Sequence, residues 1–303
     1  MPAITWDNIN QRFYETGVDR GVLYLPDASG AYTTGYAWNG LTTVTETPTG
    51  AEATPMYADN IKYLNLLSVE ELEGTIEAMT YPAEFAACDG TAQLSTAVGA
   101  FVGQQTRVPF GLSFRTRLGN DSKGNDFGYK LHLIYGCLAS PSERAYATIN
   151  DSPEAITFSW SFTTTGVPMP GSLKNSALIT VDSTKATANG LAALENVLYG
   201  ASGFPALPSP TDLVTILGQT NAPTVITTAA PTFAPTTGVI TLPTTTPNVA
   251  YYRADNMLTP ISTATTTIAG TTGASLRIIA KPVSSAYVFS AASDEDWVFV
   301  RTA

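Results

Sequence analysis

Between Thr157 and Thr163 the chain reads Thr-Phe-Ser-Trp-Ser-Phe-Thr. This alternation puts Phe158, Trp160 and Phe162 on one face of a strand, with Ser159 and Ser161 on the other. Leu112, Phe114 and Leu118 share a face in the same way, with Arg115 and Arg117 opposite, and Leu131, Leu133 and Tyr135 alternate further on. Between those two segments lies Gly119–Asp126, a run of turn-forming residues that predicts a hairpin loop. Val22–Leu25 and Thr75–Met79 are further strand candidates. One segment has the helical period instead. Leu191, Leu194, Val197 and Leu198 form a stripe between the capping residues Asp182-Ser183-Thr184 and a stop at Gly200. It predicts a helix packed on a sheet, closing one face of a β domain.

The pattern changes near residue 203. Gly203-Phe-Pro-Ala-Leu-Pro-Ser-Pro210 breaks both helix and strand, which predicts a first domain over 1–204, a Pro-rich linker over 205–222 and a second domain over 223–303. Thr224–Pro247 is rich in Thr and Pro, but Val225, Ile226, Val239, Ile240 and Leu242 sit among the threonines and favour strands over a disordered stalk. Ser275–Ala280, Ala286–Phe289 and Trp297–Arg301 add short strands at a spacing near ten residues, the pattern of a small immunoglobulin-like sandwich. The fold class expected is mainly β: a sandwich or partial barrel flanked by one α-helix, followed by that small sandwich.

Composition adds a reason to expect assembly. Charged residues make up 13% of the 303, about half of the roughly 25% usual in soluble proteins. Thr, Ser, Asn and Gly, or other copies of the chain, must cover the surface. The net charge of −10 argues against wrapping or sequence-specific contact with nucleic acid, which needs clustered Lys and Arg. An acidic wall past which nucleic acid slides is compatible with it. The N-terminus has no basic and apolar secretory pattern, and no apolar run reaches the roughly 20 residues of a membrane span. Synthesis and folding in a cytoplasm, without membrane insertion, are expected. Cys88 and Cys137 read as two buried small hydrophobes rather than a disulfide framework.

Catalytic patterns are missing from the sequence. The single histidine, His132, faces away from Leu131 and Leu133 and reads as a solvent or interface residue. No nucleophile elbow, phosphate loop or dinucleotide fingerprint occurs. Asp121, Asn125 and Asp126 do not have calcium-loop spacing and suit a solvated hairpin tip. In Val69–Ala78, Glu71, Glu73 and Glu77 share one strand face, opposite Leu72, Ile76 and Ala78. A glycosidase pair normally draws its carboxylates from separate elements, so this pattern suits a solvated face or an acidic channel lining. No enzyme activity, cofactor or metal is expected.

Several separated segments resemble, in order, the major tail proteins of long-tailed, non-contractile bacteriophages: Tyr57–Ser68, Glu73–Phe85 with Cys88-Asp-Gly90, Gln104–Arg115, and Ile179–Lys185 through Leu198-Tyr-Gly200. The resemblance covers roughly residues 5–200. It implies a structural subunit of the virion tail, assembled in the host bacterial cytoplasm. Hexameric rings would stack into a tube, joining their inner sheets around a lumen through which DNA passes without being bound. Other tail proteins would meet the tube ends, and an immunoglobulin-like domain would sit on its exterior. Glu71, Glu73 and Glu77 are then candidate lumen residues. The stretch from Gly35 to Tyr57 has little apolar periodicity and predicts a loop of about twenty residues, a length that is often functional. By the resemblance such a loop reaches the neighbouring ring, which makes Asn39, Gly40, Thr45, Glu46, Pro48, Gly50 and Pro55 candidate ring-stacking residues. An ordinary surface loop is the other reading. The alternative function is a β-rich surface-binding or adhesin-like module, with Trp297, Tyr251 and Tyr252 available to stack on sugars.

Overall fold

The structure is a computed structural model that describes residues 6–94, 99–146, 148, 155–201, 203–219, 224–243, 246–257, 259–269, 272–284, 287–290 and 293–302. The chain is mainly β, with two α-helices among the described residues. Its contacts group it into two compact units, one of residues 1–32 and 36–185, the other of 33–35 and 186–303. The division falls after Lys185, ahead of the boundary read from the sequence at 204.

The strands up to Asp182 are β1 (Phe13–Pro26), β2 (Tyr32–Trp38, whose residues 33–35 group with the second unit), β3 (Leu41–Gly50), β4 (Ala53–Ala58), β5 (Ile61–Leu67), β6 (Glu70–Ala78), the two-residue β7 (Ala92–Gln93) and β8 (Phe101–Val102), β9 (Phe110–Asn120), β10 (Gly124–Ala139), β11 (Phe158–Thr164) and β12 (Leu178–Asp182). Seven strands follow one hydrogen-bonded path, β2-β1-β9-β10-β11-β6-β3, and β12 joins as a second partner of β10. The path's two ends, β2 and β3, are separated in sequence only by Asn39-Gly40. The sheet is therefore rolled, and β3 lies near β1 although the two are not paired.

The long β10 shares one of its edges between two strands, pairing with β12 over 130–134 and with β11 over 137–139. Gly136 sits at the changeover with φ +61°, and a β-carbon there would stand 2.5 Å from the Thr165 carbonyl oxygen, so the bend requires glycine.

The roll closes on an aromatic core. Phe158, Trp160 and Phe162 share a face as the alternation predicts, with Trp160 and Phe162 buried. Phe85, carried by a single 3₁₀ turn (Ala83–Ala87), is fully buried. Its ring centroid lies 4.6 Å from Trp38 and 5.2 Å from Trp160, in tilted and edge-on geometries that aromatic quadrupoles favour. Cys88 and Cys137 are buried in the same core, as expected, and stand there as free thiols. Burial pushes both thiols up, Cys88 to about 12, so neither is a ready nucleophile.

The second unit begins with α1 (Ala188–Tyr199), which stops at Gly200 in the left-handed conformation, as expected. Its cap is Thr187, not the predicted Asp182–Thr184. Thr187 Oγ1 accepts from the Gly190 amide at 3.1 Å, whereas Asp182 ends β12 and turns back onto Thr184. The predicted linker is also corrected. Residues Pro210–Leu217 form a second helix, α2, which packs on α1. Proline at the first helical position costs no hydrogen bond and has φ preset, and Ser209 caps the helix by accepting from Asp212 N–H.

Eight short strands follow among the described residues: β13 (Thr224–Ile226), β14 (Thr232–Ala234), β15 (Val239–Thr241), β16 (Val249–Arg253), β17 (Thr265–Thr267), β18 (Ser275–Pro282), β19 (Tyr287–Phe289) and β20 (Asp296–Val300). They realise the strands read from the Thr-rich stretch and the C-terminal segments, although Ala286 lies outside the described residues. Sheets β14-β15-β17 and β16-β18-β20 are both antiparallel, and they share one core that contains Ile240, Tyr251, Ile278 and Phe289.

Candidate functional site

Three strands of the first unit present a polar face of unusual uniformity. In register, Thr43 lies beside Glu77 and Ser159, Thr45 beside Thr75 and Ser161, and Thr47 beside Glu73 and Thr163, and Thr49 continues beside Glu71. The intervening Leu72, Gly74, Ile76 and Ala78 are buried, so the acidic residues share the outward face, as the alternation predicts. β3, β6 and β11 contain no Lys or Arg. The result is a wall of short hydroxyl side chains and glutamates, without a cation to hold a phosphate or a large apolar group to stack on a base.

Two strands of this wall, the end strand β3 and the central β6, run on into β4 and β5, which pair only with each other. Every residue of β4 and β5 is exposed. Asp59 and Asn60 turn the tip with φ +51° and +64°, the two left-handed residues of a tight hairpin turn. Both faces of this arm are apolar. Tyr57 and Tyr63 are each 70% exposed, Leu67 71%, and Val69 at the base 79%, with Ile61 and Leu66 also in solvent. An isolated two-stranded hairpin is marginal in water, and an apolar cluster of this kind marks an interaction surface.

The loop predicted between Gly35 and Tyr57 is thereby overturned. Asn39 and Gly40 form the turn between β2 and β3, Thr45, Glu46, Pro48 and Gly50 lie within β3, and Pro55 lies on β4. The β-branched threonines favour the strand, and Pro48 is tolerated because β3 is the end strand of the path. The residues that sequence reasoning missed are Tyr57, Ile61, Tyr63, Leu66, Leu67 and Val69. Their signal was present as two apolar runs around Asp59-Asn60, in which neither alternation phase is polar.

Inside the roll, His132 is not a solvent residue. Its side chain is 12% exposed, and its ring stacks on Phe114 with centroids 4.6 Å apart and 7° between planes. Even-numbered residues of β10 point into the roll here. Nδ1 is 2.8 Å from Glu46 Oε1, and Nε2 is 3.0 Å from Thr116 Oγ1. Thr116 donates to Glu15, which also accepts from Lys130 Nζ at 2.9 Å. Burial alone would raise the Glu15 carboxyl, but the hydrogen bonds from Lys130 and Thr116 hold it below the usual range. These side chains border an open cleft of about 420 Å³ between β3 and the β1–β9–β10 face. Each carboxylate has an internal partner, and the chain of contacts fastens β3 to three other strands.

The remaining sequence candidates have local roles. Asp121 accepts from the Asn10 amide, and Asn125 accepts from the Tyr14 hydroxyl. Among the described residues no group of three His, Cys, Asp or Glu could hold a metal, and no helix is long and apolar enough to cross a membrane. In the second unit Tyr251 is buried and its hydroxyl donates to Ala229 O, while Trp297 stands against it with ring centroids 6.1 Å apart. Tyr251 is thus committed to the core, whereas Tyr252 and Trp297 are partly exposed.

Comparison of the chain with known protein families finds no match, and comparison with curated proteins finds none either.

Proposed function

We propose that this chain is the structural subunit of a phage tail tube, building stacked hexameric rings around a lumen through which DNA passes. The observation that carries this reading is the β4–β5 arm, whose apolar residues find no cover within the subunit. In a tube the arm would lie on a neighbouring copy, and the Thr–Ser–Glu wall at its root would face the lumen. Backbone phosphates approaching such a wall meet like charge, so a DNA molecule would move along it without sticking. The role is mechanical, with no cofactor. Residues 223–303, an immunoglobulin-like sandwich on this reading, would decorate the exterior.

Negative-stain electron microscopy of the purified chain over a concentration series tests the proposal. Rings or hollow tubes with a lumen wide enough for duplex DNA are expected. Compact monomers at every concentration would overturn it.

A further inference from the structure

Two asparagines of this chain precede a glycine, Asn39 and Asn189. The fold treats them differently. Asn189 lies in the first turn of α1. The Gly190 amide after it donates to Thr187 Oγ1 at 3.1 Å. Gly190 is also buried, and a β-carbon there would stand 2.4 Å from the Leu217 carbonyl oxygen. A cap and close packing hold this backbone, so its amide nitrogen is engaged and does not turn towards the asparagine side chain.

Asn39 and Gly40 are both exposed, and they form the whole connection between β2 and β3. A two-residue turn usually joins strands that pair with each other. Here β2 and β3 are the two ends of the sheet path and are not paired, so no ladder clamps the turn. Among the described residues the Asn39 side chain has no hydrogen-bond partner, and the Gly40 N–H finds no acceptor. The turn is held through the Gly40 carbonyl, which accepts from the Met79 amide at 2.8 Å. Gly40 has φ +73° and no β-carbon to shield its nitrogen.

We propose that Asn39 is a site of spontaneous deamidation, converting with time to aspartate and isoaspartate. The Gly40 amide gives its proton to solvent and its nitrogen attacks Asn39 Cγ, an intramolecular step favoured because both groups belong to one short segment. A C–N bond forms. The bond from Cγ to the side-chain nitrogen breaks, and ammonia leaves with the electron pair and a proton from solvent. Water then opens the cyclic imide at either carbonyl. Attack at one gives aspartate, and attack at the other gives isoaspartate, which lengthens the backbone by a methylene between Asn39 Cα and Gly40. The turn has little room for it. Trp38 on one side is buried and its Nε1 donates to Thr80 O at 3.1 Å, and a β-carbon on Gly40 would stand 3.0 Å from Thr80 Cγ2. The isoaspartyl chain is therefore less stable than the fresh one.

The test is incubation of the full chain in heavy-oxygen water at mildly alkaline pH, with peptide mass spectrometry reading the label that imide hydrolysis inserts. A second sample is held unfolded in guanidinium chloride. In the native chain Asn39 should take up label several-fold faster than Asn189, with isoaspartate exceeding aspartate, and unfolding should bring the two rates together. The aged protein should unfold at lower urea than the fresh protein, whereas Asn39→Gln should keep its midpoint through the same incubation. A native Asn39 rate at or below that of Asn189, or far below its own rate in the unfolded chain, overturns the assignment, as does a difference between the two sites that persists after unfolding. An aged midpoint equal to the fresh one overturns the loss of stability.

Discussion

Gly74 makes room for Phe162. A β-carbon on Gly74 would stand 2.5 Å from Phe162 Cζ and 2.4 Å from the Thr45 carbonyl oxygen, so β6 can lie between β11 and β3 only if this position has no side chain. Overpacking of this kind costs about 1–3 kcal/mol, and here one of the clashing atoms belongs to the backbone. Gly74→Val is expected to lower the urea midpoint by an amount at or above that range. An unchanged midpoint would show that the strands separate at little cost.

The arm can be tested without touching the fold. Tyr63→Ser with Leu67→Ser removes two large exposed apolar side chains, each of which contributes about 1.5–3 kcal/mol when fully buried. The double variant is expected to keep the monomer's thermal transition and to lose rings and tubes by electron microscopy and sedimentation. Tubes of normal abundance would remove the arm from the contact between copies.

Charge on the polar wall is open to reversal. Glu71→Lys, Glu73→Lys and Glu77→Lys together should let assembled tubes retain duplex DNA at low salt, with retention falling steeply as salt rises. The wild-type tube should retain none, and the corresponding Gln substitutions should still assemble. If the lysine variant retains no more DNA than the wild type, the wall does not face the lumen.

Asp19 links β1 to β9. Its Oδ1 and Oδ2 accept from Arg115 Nε at 2.6 Å and Nη2 at 2.7 Å, and Arg117 adds a contact at 3.2 Å. The Arg115 hydrogen bonds are the main reason its carboxyl is held below the usual aspartate range. A group whose pKa is lowered by folding binds fewer protons in the native state. Its stabilisation is therefore complete above the unfolded value, near pH 4, and is lost as pH falls through the lower folded value. The stability gap between wild type and Asp19→Asn, from urea midpoints, should be widest near neutral pH and narrow towards pH 2–3. A gap that is constant across that range would rule out this ionisation as its source.

Strands with one buried face were legible because their alternation is produced by the pleat itself. The alternation of Phe158–Phe162 and Glu71–Ala78 puts their side chains on the faces they occupy in the fold. β3 was not legible in this way, since Thr42, Thr43, Thr45, Thr47 and Thr49 offer β propensity without hydrophobic contrast and Pro48 suggests a break. α2 was hidden for a related reason: proline marks a helix start as readily as a turn, and Ser209-Pro210 was the only local hint. Because every residue of the arm stays exposed within the chain, no periodicity could show which way its side chains point. His132 is less exposed than a solvent reading implies, because the sequence shows that it faces away from Leu131 and Leu133 but not that the sheet curls until that side is largely enclosed.

The rolled sheet has a consequence for the order of synthesis. Asp19 and Arg115 are 96 positions apart, so β1, which can pair early with β2, waits for β9 until more than a third of the chain has left the ribosome. The β3–β6 hairpin with its arm needs nothing beyond Ala78. Long-range pairing forms slowly and local hairpins form quickly. The exposed apolar arm is thus completed before the body that carries it, and nascent chains on one messenger would expose arms to one another while still unfinished. A chain built this way benefits from a holding partner during translation, and its yield should fall as expression is driven faster.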